Sequence, residues 1–316
     1  MPLPRRLFSL MPLTALLPDI ATATPTVLPL WPEGVPPATR PDAPAARGDI
    51  GPEQVDAGGG IRHVSVPTLT VVPPAVDRPN GTAVIVCPGG GYSYLSMNRE
   101  GTQYAAWLST LGITTFLLKS RLQDWGHPAP LQDVLRALRL VRSRAVEFGV
   151  DPQRIGVLGS SAGGHLAASA STLFDHPDGR TGAALDTTSA RPDFAVLVYP
   201  VITMTGPATH AGSRRALLGD SPSPALQALM SLDQQVSPAT PPTLLVHTQG
   251  DKSVPAQNSL LYFDALTRAG VPAELYVFEQ GGHGIGMRDG LGNASAWPRR
   301  AEEWLRQRGL LAAALR

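Results

Sequence analysis

A serine between glycines is the first candidate for chemistry in this chain. Ser161 is the central residue of Gly159–Gly163, which matches the pattern Gly-x-Ser-x-Gly. The pattern follows an apolar run, Arg154–Leu158, and precedes a helix-like run that begins at His165. A tight strand-to-helix turn exposes its central side chain and needs small neighbours, so Ser161 is predicted to be a nucleophile. The helix start directs N–H groups to the same point, where the Ala162 amide is expected to stabilise an oxyanion.

A second glycine-rich segment, Cys87–Tyr92, follows the apolar run Thr82–Val86. Three glycines let the backbone approach a reacting carbonyl, as in the His-Gly-Gly-Gly loop that supplies the other part of an oxyanion hole. Pro88 stands where that motif has histidine, so the sequence leaves open how the loop is held in place and which of its amides face the oxyanion. A phosphate or nucleotide loop is the alternative, but Gly-x-Gly-x-x-Gly is absent and no acidic residue follows at the needed distance.

Two further residues complete a set that makes serine reactive. Asp251 follows the apolar run Thr243–His247, and His283 follows the run Glu274–Phe278. A serine hydroxyl is a poor nucleophile until an imidazole accepts its proton, and a carboxylate holds that imidazole in the right tautomer. Serine, aspartate and histidine in this chain order are typical of α/β hydrolases. We therefore expect these side chains to act together.

The segments that must position these residues alternate between short apolar runs and helical patterns. This alternation predicts a single α/β domain, with a mostly parallel sheet and helices on both faces. The predicted strands are 62–72, 82–87, 112–118, 154–159, 193–199, 243–248 and 273–278. Apolar spacing predicts amphipathic helices over 129–149 and 255–269. The interval 203–240 has no strand pattern and contains short helical patterns around 213–218 and 223–230, which predict a small lid.

The first 60 residues differ in composition from the rest. Arg5 and Arg6 precede an apolar run, and small residues at 21–23 fit a cleavage site, so residues 1–23 are predicted to be a signal peptide. The arginine pair also resembles a twin-arginine signal, and we expect an exported protein. Residues 24–60, rich in Pro, Ala and Gly, predict an extended arm over a hydrolase domain at 61–316.

Charge and cysteine content exclude several other classes of function. A net charge of +1, from 26 basic and 25 acidic residues, gives no field that attracts nucleic acid, so no nucleic-acid partner is expected. After the leader, no segment is apolar enough to predict stable membrane insertion. The lone cysteine, Cys87, excludes an internal disulfide and a cysteine-based metal cage. We expect no metal and no cofactor, and the oligomeric state does not follow from the sequence.

Six segments together resemble bacterial α/β-hydrolase esterases, a group that includes acetylxylan and feruloyl esterases. They are Cys87–Tyr92, Glu100–Trp107, His127–Asp133, Gly159–Leu166, Gly250–Asp251 and Gly282–Gly284. The resemblance extends from about residue 25 to residue 310. It implies an esterase of carbohydrate-linked or other small acyl groups. It also implies roles for particular residues: Ser161, Asp251 and His283 as the triad, and Gly90, Gly91 and Ala162 as the oxyanion hole.

Other polar residues near these motifs receive simpler interpretations. Tyr92 and Tyr94 follow the glycine loop and are candidates to line the acyl or sugar site. His165 is interpreted as a packed helix residue, and Asp133 as an acidic partner of a helix N-terminus. Within the predicted lid, His210 is expected to lie on a solvated face.

The sequence therefore predicts a serine carboxylic-ester hydrolase that acts through an acyl-enzyme. Its substrate is expected to be a small-molecule or oligosaccharide ester, with acetylated xylan favoured. A serine peptidase or amidase on the same fold is one alternative, because the same residues cleave amides. A non-catalytic binding protein on a hydrolase scaffold is the other, although the intact set of serine, aspartate and histidine favours an enzyme.

Overall fold

The computed structural model describes residues 26–75 and 79–311. Its strands are β1 (Thr26–Pro29), β2 (Gln54–Val55), β3 (Gly60–Arg62), β4 (Thr68–Val72), β5 (Ala83–Cys87), β6 (Leu95–Ser96), β7 (Thr114–Lys119), β8 (Ile155–Ser160), β9 (Ala195–Val198), β10 (Thr243–Thr248) and β11 (Ala273–Phe278). Its α-helices are α1 (Gln103–Thr110), α2 (Ala129–Ser143), α3 (Ala162–Thr172), α4 (Ala211–Leu218), α5 (Pro224–Leu229), α6 (Gln257–Arg268) and α7 (Trp297–Gln307). None of these helices has the length and apolar character needed to span a bilayer.

The main sheet has the strand order β1-β4-β7-β5-β8-β9-β10-β11. Neighbouring strands from β7 to β11 are parallel, whereas β1 and β4 run antiparallel to their neighbours. The short strands β2, β3 and β6 form a separate sheet. The carboxyl ends of the parallel strands lie along one edge of the main sheet, which is where open α/β sheets place their sites.

Successive residues of the central strands face opposite sides of the sheet. Ile85 of β5 belongs to a core that includes Leu135 of α2 and Leu266 of α6. Val86 belongs to the other core, which includes Trp304 of α7. A strand that is buried on both faces reads as a continuous apolar run, which is why the sequence predicted these strands well. The prediction of a mostly parallel sheet with helices on both faces is confirmed.

The single strand predicted over 62–72 is wrong, because β3 and β4 belong to different sheets. The chain turns between them at His63, which has a φ of 55°. Pro67 has no amide hydrogen for pairing. The Val64 carbonyl accepts a hydrogen bond from Trp125 Nε1 at 2.9 Å, so this part of the segment pairs with a side chain.

The helix predicted over 129–149 ends earlier than its apolar spacing suggests. The α2 helix ends at Ser143, and turns follow it up to Gly149, which has a φ of 63°. Ala145 and Phe148 still pack on the core beyond the end of the helix. The apolar pattern therefore records burial here rather than helical hydrogen bonding.

The N-terminal segment is joined to the main sheet, which differs from the arm predicted over 24–60. Its first described residues form β1, which pairs with β4 as an edge strand, and Leu30 behind it is fully buried. A strand of four residues is too short to show a clear alternation of apolar and polar residues, so the sequence did not predict β1. The boundary expected at residue 61 therefore does not separate this segment from the domain. The predicted signal peptide, 1–23, lies outside the described residues.

The interval 203–240 contains α4 and α5 at the positions that its short patterns indicate. It packs against the domain: the Met230 carbonyl lies 2.9 Å from His165 Nε2, and the Leu217 carbonyl accepts the His127 amide at 2.8 Å. Met230 is almost fully buried. The excursion therefore contributes buried residues to the core, and its first helix begins beside the cleft described below.

Candidate active site

Ser161 occupies the turn between β8 and α3. Its backbone has a φ of 55° and a ψ of −122°, a strained conformation for a residue with a Cβ. A Cβ on Gly159 would lie 2.1 Å from the Gly163 carbonyl oxygen, and one on Gly163 would lie 2.0 Å from the Cys87 oxygen. Close backbone packing around the turn therefore requires glycine at both positions.

The structure brings the three predicted polar side chains into one hydrogen-bonded chain. Ser161 Oγ lies 2.9 Å from His283 Nε2, and His283 Nδ1 lies 2.7 Å from Asp251 Oδ2. Asp251 follows β10 and His283 follows β11, so both approach from the carboxyl ends of neighbouring parallel strands. This geometry lets the imidazole take the serine proton while the carboxylate fixes the imidazole tautomer.

Asp251 is held in place by its second oxygen. Oδ1 accepts the amide hydrogens of Ser253 and Val254, both at 2.9 Å. Burial raises the pKa of this carboxyl, but its contacts with His247, His283 and the Val254 amide outweigh that effect and hold the pKa below its usual range. Asp251 is therefore ionised at neutral pH and oriented toward the imidazole.

The glycine loop lies directly against the nucleophile. A Cβ on Gly89 would be 3.0 Å from the Ser161 Cβ. Among the described residues, the amides of Gly90, Gly91 and Ala162 have no hydrogen-bond acceptor. Free amides beside a nucleophile are the donors that an oxyanion requires.

The presence of Pro88 in place of the motif's histidine left open what supports the glycine loop. In the structure, Glu100 supports it. Glu100 Oε2 accepts the Gly89 amide hydrogen at 2.8 Å, and Oε1 accepts the Tyr199 hydroxyl hydrogen at 2.9 Å. The side chain is 7% exposed, and burial raises its pKa. A buried carboxylate with two donors is a fixed anchor, because each lost partner leaves a desolvated polar atom.

Tyr199 joins the glycine loop to the histidine loop. Its hydroxyl donates to Glu100 and accepts the Gly286 amide hydrogen at 3.3 Å. Its ring packs edge-on against the His283 ring, with 5.1 Å between centroids. Burial, followed by the charge of Glu100, raises the pKa of this phenol well above its usual value, so the hydroxyl keeps its proton. One side chain therefore links the glycine loop, with its candidate oxyanion donors, to the loop that carries the imidazole.

A cleft of about 650 Å³ opens over Ser161 and His283. Tyr94 and His210 are on its wall, together with the glycine loop. His210 was expected on a solvated face, but it is half-buried, and burial, followed by the charge of His283, lowers its pKa. In the part of the chain that the structure describes, no group of three or more His, Cys, Asp or Glu side chains is arranged to hold a metal ion.

The two predicted tyrosines are in different environments. Tyr94 lies on the cleft wall, whereas Tyr92 is 4% exposed and its hydroxyl lies 2.8 Å from His165 Nδ1. His165 is fully buried, and burial lowers its pKa to about 4, so it is a neutral packed residue as interpreted from the sequence. Tyr92 therefore joins the loop to α3 and does not face the cleft.

Sequence reasoning missed Glu100 and Tyr199 as parts of the site. Tyr199 directly follows β9, and residues at the carboxyl ends of parallel strands reach the site in such folds, so its position was a usable signal. Glu100 lies in a π-helical turn, Asn98–Thr102, and reaches Gly89 only through the folded chain. Its segment carries part of the family resemblance, but its sequence neighbours do not indicate a contact with Gly89.

Gly89→Ala tests whether the loop holds the oxyanion donors. The new Cβ would lie 2.4 Å from Glu100 Oε2 and 2.6 Å from the Ser160 oxygen, so the loop must shift. We expect kcat for p-nitrophenyl acetate to fall by about 10²-fold or more, the size of losing one oxyanion donor. The control is Gly51→Ala, whose Cβ meets only the His63 ring at 4.0 Å. Wild-type kcat in a folded Gly89→Ala protein would contradict this role for the loop.

Residues 69–266, more than half of the chain, match the model of the BD-FAE family. The chain belongs to the BD-FAE family. The matched range includes the glycine loop, Ser161 and Asp251.

Curated relatives of this BD-FAE member include proteins named for ester hydrolysis. It is 36% identical over 143 residues to the acetylxylan esterase of Xylanibacter ruminicola, which is 45% of this chain and 27% of the relative. It is 30% identical over 122 residues to the ethyl acetate hydrolase of Pseudomonas putida, which is 38% of this chain and 36% of the relative. Each alignment spans well under half of the relative's own length.

Solved structures resemble the BD-FAE member over most of its length. The acetyl ester-xyloside bifunctional hydrolase from Caldicellulosiruptor lactoaceticus is 38% identical, with a TM-score of 0.76 over 91% of this chain and 97% of that one. The carboxylesterase Cest-2923 from Lactobacillus plantarum is 28% identical, with a TM-score of 0.67 over 83% of this chain and 98% of that one. The predicted α/β-hydrolase esterase fold is confirmed.

Proposed function

We propose that this chain is a serine carboxylic-ester hydrolase that removes acetyl groups from carbohydrate esters through an acyl-enzyme. The observation that carries the proposal is the hydrogen-bonded chain from Ser161 through His283 to Asp251. It lies beside the free amides of the glycine loop and at the bottom of an open cleft. These are the parts that acyl transfer through serine requires.

In the acylation step, Ser161 Oγ attacks the ester carbonyl carbon while His283 Nε2 takes the hydroxyl proton. The amides of Gly90, Gly91 and Ala162 stabilise the negative charge on the carbonyl oxygen. Ionised Asp251 stabilises the imidazolium that forms. The tetrahedral intermediate then collapses as His283 donates its proton to the leaving alcohol, which gives the acyl-enzyme and free alcohol.

Deacylation reverses these roles with water as the nucleophile. His283 removes a proton from water, the resulting hydroxide attacks the acyl carbonyl, and the same amides stabilise the second oxyanion. Return of the proton to Ser161 Oγ releases the acid and restores the free enzyme. Glu100 and Tyr199 touch neither reactant in this scheme, and they position the loops that do.

The names of the relatives support the substrate class. One curated relative is an acetylxylan esterase, another an ethyl acetate hydrolase, and one structural neighbour is an acetyl ester-xyloside hydrolase. All these names concern acetyl esters, and two of them concern xylose-based carbohydrates. Acetylated xylan-type carbohydrate is therefore the substrate that we favour.

A panel of four substrates tests the proposal on purified wild-type protein. The panel contains p-nitrophenyl acetate, p-nitrophenyl butyrate, acetylated xylan and a peptide p-nitroanilide. We expect turnover of p-nitrophenyl acetate and release of acetic acid from xylan. Cleavage of the anilide alone would favour the peptidase or amidase alternative, and absence of turnover on all four would favour the binding-protein alternative.

We also propose that the protein is exported. The proposal rests on the sequence of residues 1–23, with its arginine pair, apolar run and small residues at 21–23. Expression of the full chain in a bacterial host with a functional export pathway, followed by fractionation and mass analysis of the N-terminus, tests it. Retention of residues 1–23 in the cytoplasmic fraction would contradict it.

A further inference from the structure

Three arginines from separate parts of the chain line the cleft over Ser161. Arg62 ends β3, Arg99 lies in the π-helical turn after β6, and Arg288 lies in the loop after His283. The fold brings all three to the cavity that holds the nucleophile. A chain whose net charge is only +1 therefore concentrates positive charge at its candidate active site.

Among the described residues, no carboxylate forms an ion pair with these three guanidinium groups. Within residues 26–75 and 79–311, many arginines form ion pairs with Asp or Glu, including Arg121 with Asp133. In those ranges the three cleft arginines form no such pair. Arg62 donates to the Ser93 carbonyl at 3.4 Å, and Arg288 donates to the Ile285 carbonyl at 3.3 Å. Their charges are therefore available to a bound anion.

One of the three is held in a fixed orientation. The Arg62 guanidinium carbon lies 4.9 Å from the centre of the Tyr94 ring, so the cation rests on the aromatic face. Arg99 and Arg288 are exposed and can adjust to a ligand. A fixed cation beside adjustable ones suits a carboxylate, whose two oxygens accept hydrogen bonds in a plane.

The cleft has little negative charge to neutralise these arginines. Among the described residues that line it, Glu100 is the one acidic side chain. Both of its oxygens are already bonded, to the Gly89 amide and to the Tyr199 hydroxyl, and the side chain is buried. Glu100 offsets part of the charge of Arg99, so a substrate in the cleft meets a wall whose three arginines outnumber its one carboxylate.

We propose that the cleft binds acidic ester substrates, with Arg62, Arg99 and Arg288 contacting a carboxylate on the alcohol part of the ester. The chemical class is an O-acetylated carbohydrate that carries a uronic acid. This inference rests on the proposed esterase function and narrows its substrate class. The neutral acetyl group occupies the space beside Ser161, and the acidic sugar lies toward the arginines.

The test compares an O-acetylated methyl glucuronoside with its uronic methyl ester, which has the same acetyl group and no charge. We expect kcat/KM to be about tenfold higher for the acid, the effect of one charge-assisted hydrogen bond, and the ratio to fall at raised salt. The double variant Arg99→Gln/Arg288→Gln, which keeps Arg62, should lower the ratio markedly toward one. Arg299→Gln, which removes an exposed charge on α7, is the matched control and should keep the wild-type ratio.

Equal kcat/KM for the acid and its methyl ester would overturn the inference. A preference for p-nitrophenyl hemisuccinate over its methyl ester, without a preference for the uronate, would overturn it by placing the carboxylate on the acyl side. Turnover of p-nitrophenyl acetate separates this failure from a failure of the proposed function. If that neutral ester is not hydrolysed either, the esterase proposal itself is wrong.

Discussion

Replacing Ser161 by alanine is expected to lower kcat for p-nitrophenyl acetate by on the order of 10⁶-fold, as when serine hydrolases lose their nucleophile. The change removes only Oγ, so the bond to His283 Nε2 and the site of acyl transfer are lost together. Alanine keeps the Cβ in the turn, and the variant should fold as the wild type does. Steady-state assays with an active-site titration of the wild type measure the change.

The control for this substitution is Ser171→Ala in α3, the helix that follows Ser161. Ser171 is buried, its hydroxyl donates to the Ala167 carbonyl within α3, and it does not line the cleft. It should keep near wild-type kcat, which separates loss of the nucleophile from loss of a buried serine. Substantial turnover by Ser161→Ala, above the uncatalysed rate and above contamination, would rule out the assigned nucleophile.

Asp251→Asn is expected to lower kcat by about 10⁴-fold with little change in KM. The asparagine amide places N–H hydrogens where His283 Nδ1 donates, so the imidazole adopts the tautomer whose Nε2 already carries a proton and cannot accept one from serine. The pKa of Asp251 lies below its usual range, so the wild-type carboxylate is ionised throughout the neutral assay range. The loss should therefore be present at every pH in that range.

Asp178→Asn is the matched control, because Asp178 Oδ2 lies 2.8 Å from His127 Nε2 in a second histidine–aspartate pair outside the cleft. Asparagine at 251 keeps an oxygen for the Ser253 and Val254 amides, so thermal unfolding should show a folded protein. If Asp251→Asn and Asp178→Asn have the same kcat, the carboxylate does not orient the imidazole.

The sequence was sufficient to predict the three side chains that the structure joins in one hydrogen-bonded chain. A nucleophile elbow requires glycines at fixed positions, and strand ends place Asp251 and His283 at one edge of the sheet. The residue types, their spacing and their order in the chain therefore identify these three residues from the sequence alone. The positions of the buried parallel strands were also predicted from the sequence, because a strand buried on both faces has a continuous run of apolar residues.

The roles of residues that act through long-range contacts could not be predicted from the sequence. Glu100 looks like any surface glutamate until the fold places it under Gly89. Asp133 was interpreted as a partner of a helix N-terminus, but it is fully buried, pairs with Arg121 at 2.8 Å and accepts a hydrogen bond from Trp31 Nε1 at 2.7 Å. These partners are separated from it by 12 and 102 residues, a distance that local pattern reasoning does not reach.

The central claim is that Ser161 forms a covalent acyl-enzyme, and its most direct test is labelling with a fluorophosphonate that mimics the tetrahedral intermediate. Intact mass after labelling should show one adduct per chain, peptide mapping should place it on Ser161, and activity should fall in proportion. Ser161→Ala should remain unlabelled, while Ser171→Ala should be labelled as the wild type is. An adduct on another residue, or full esterase activity in a protein that does not react, would contradict the account.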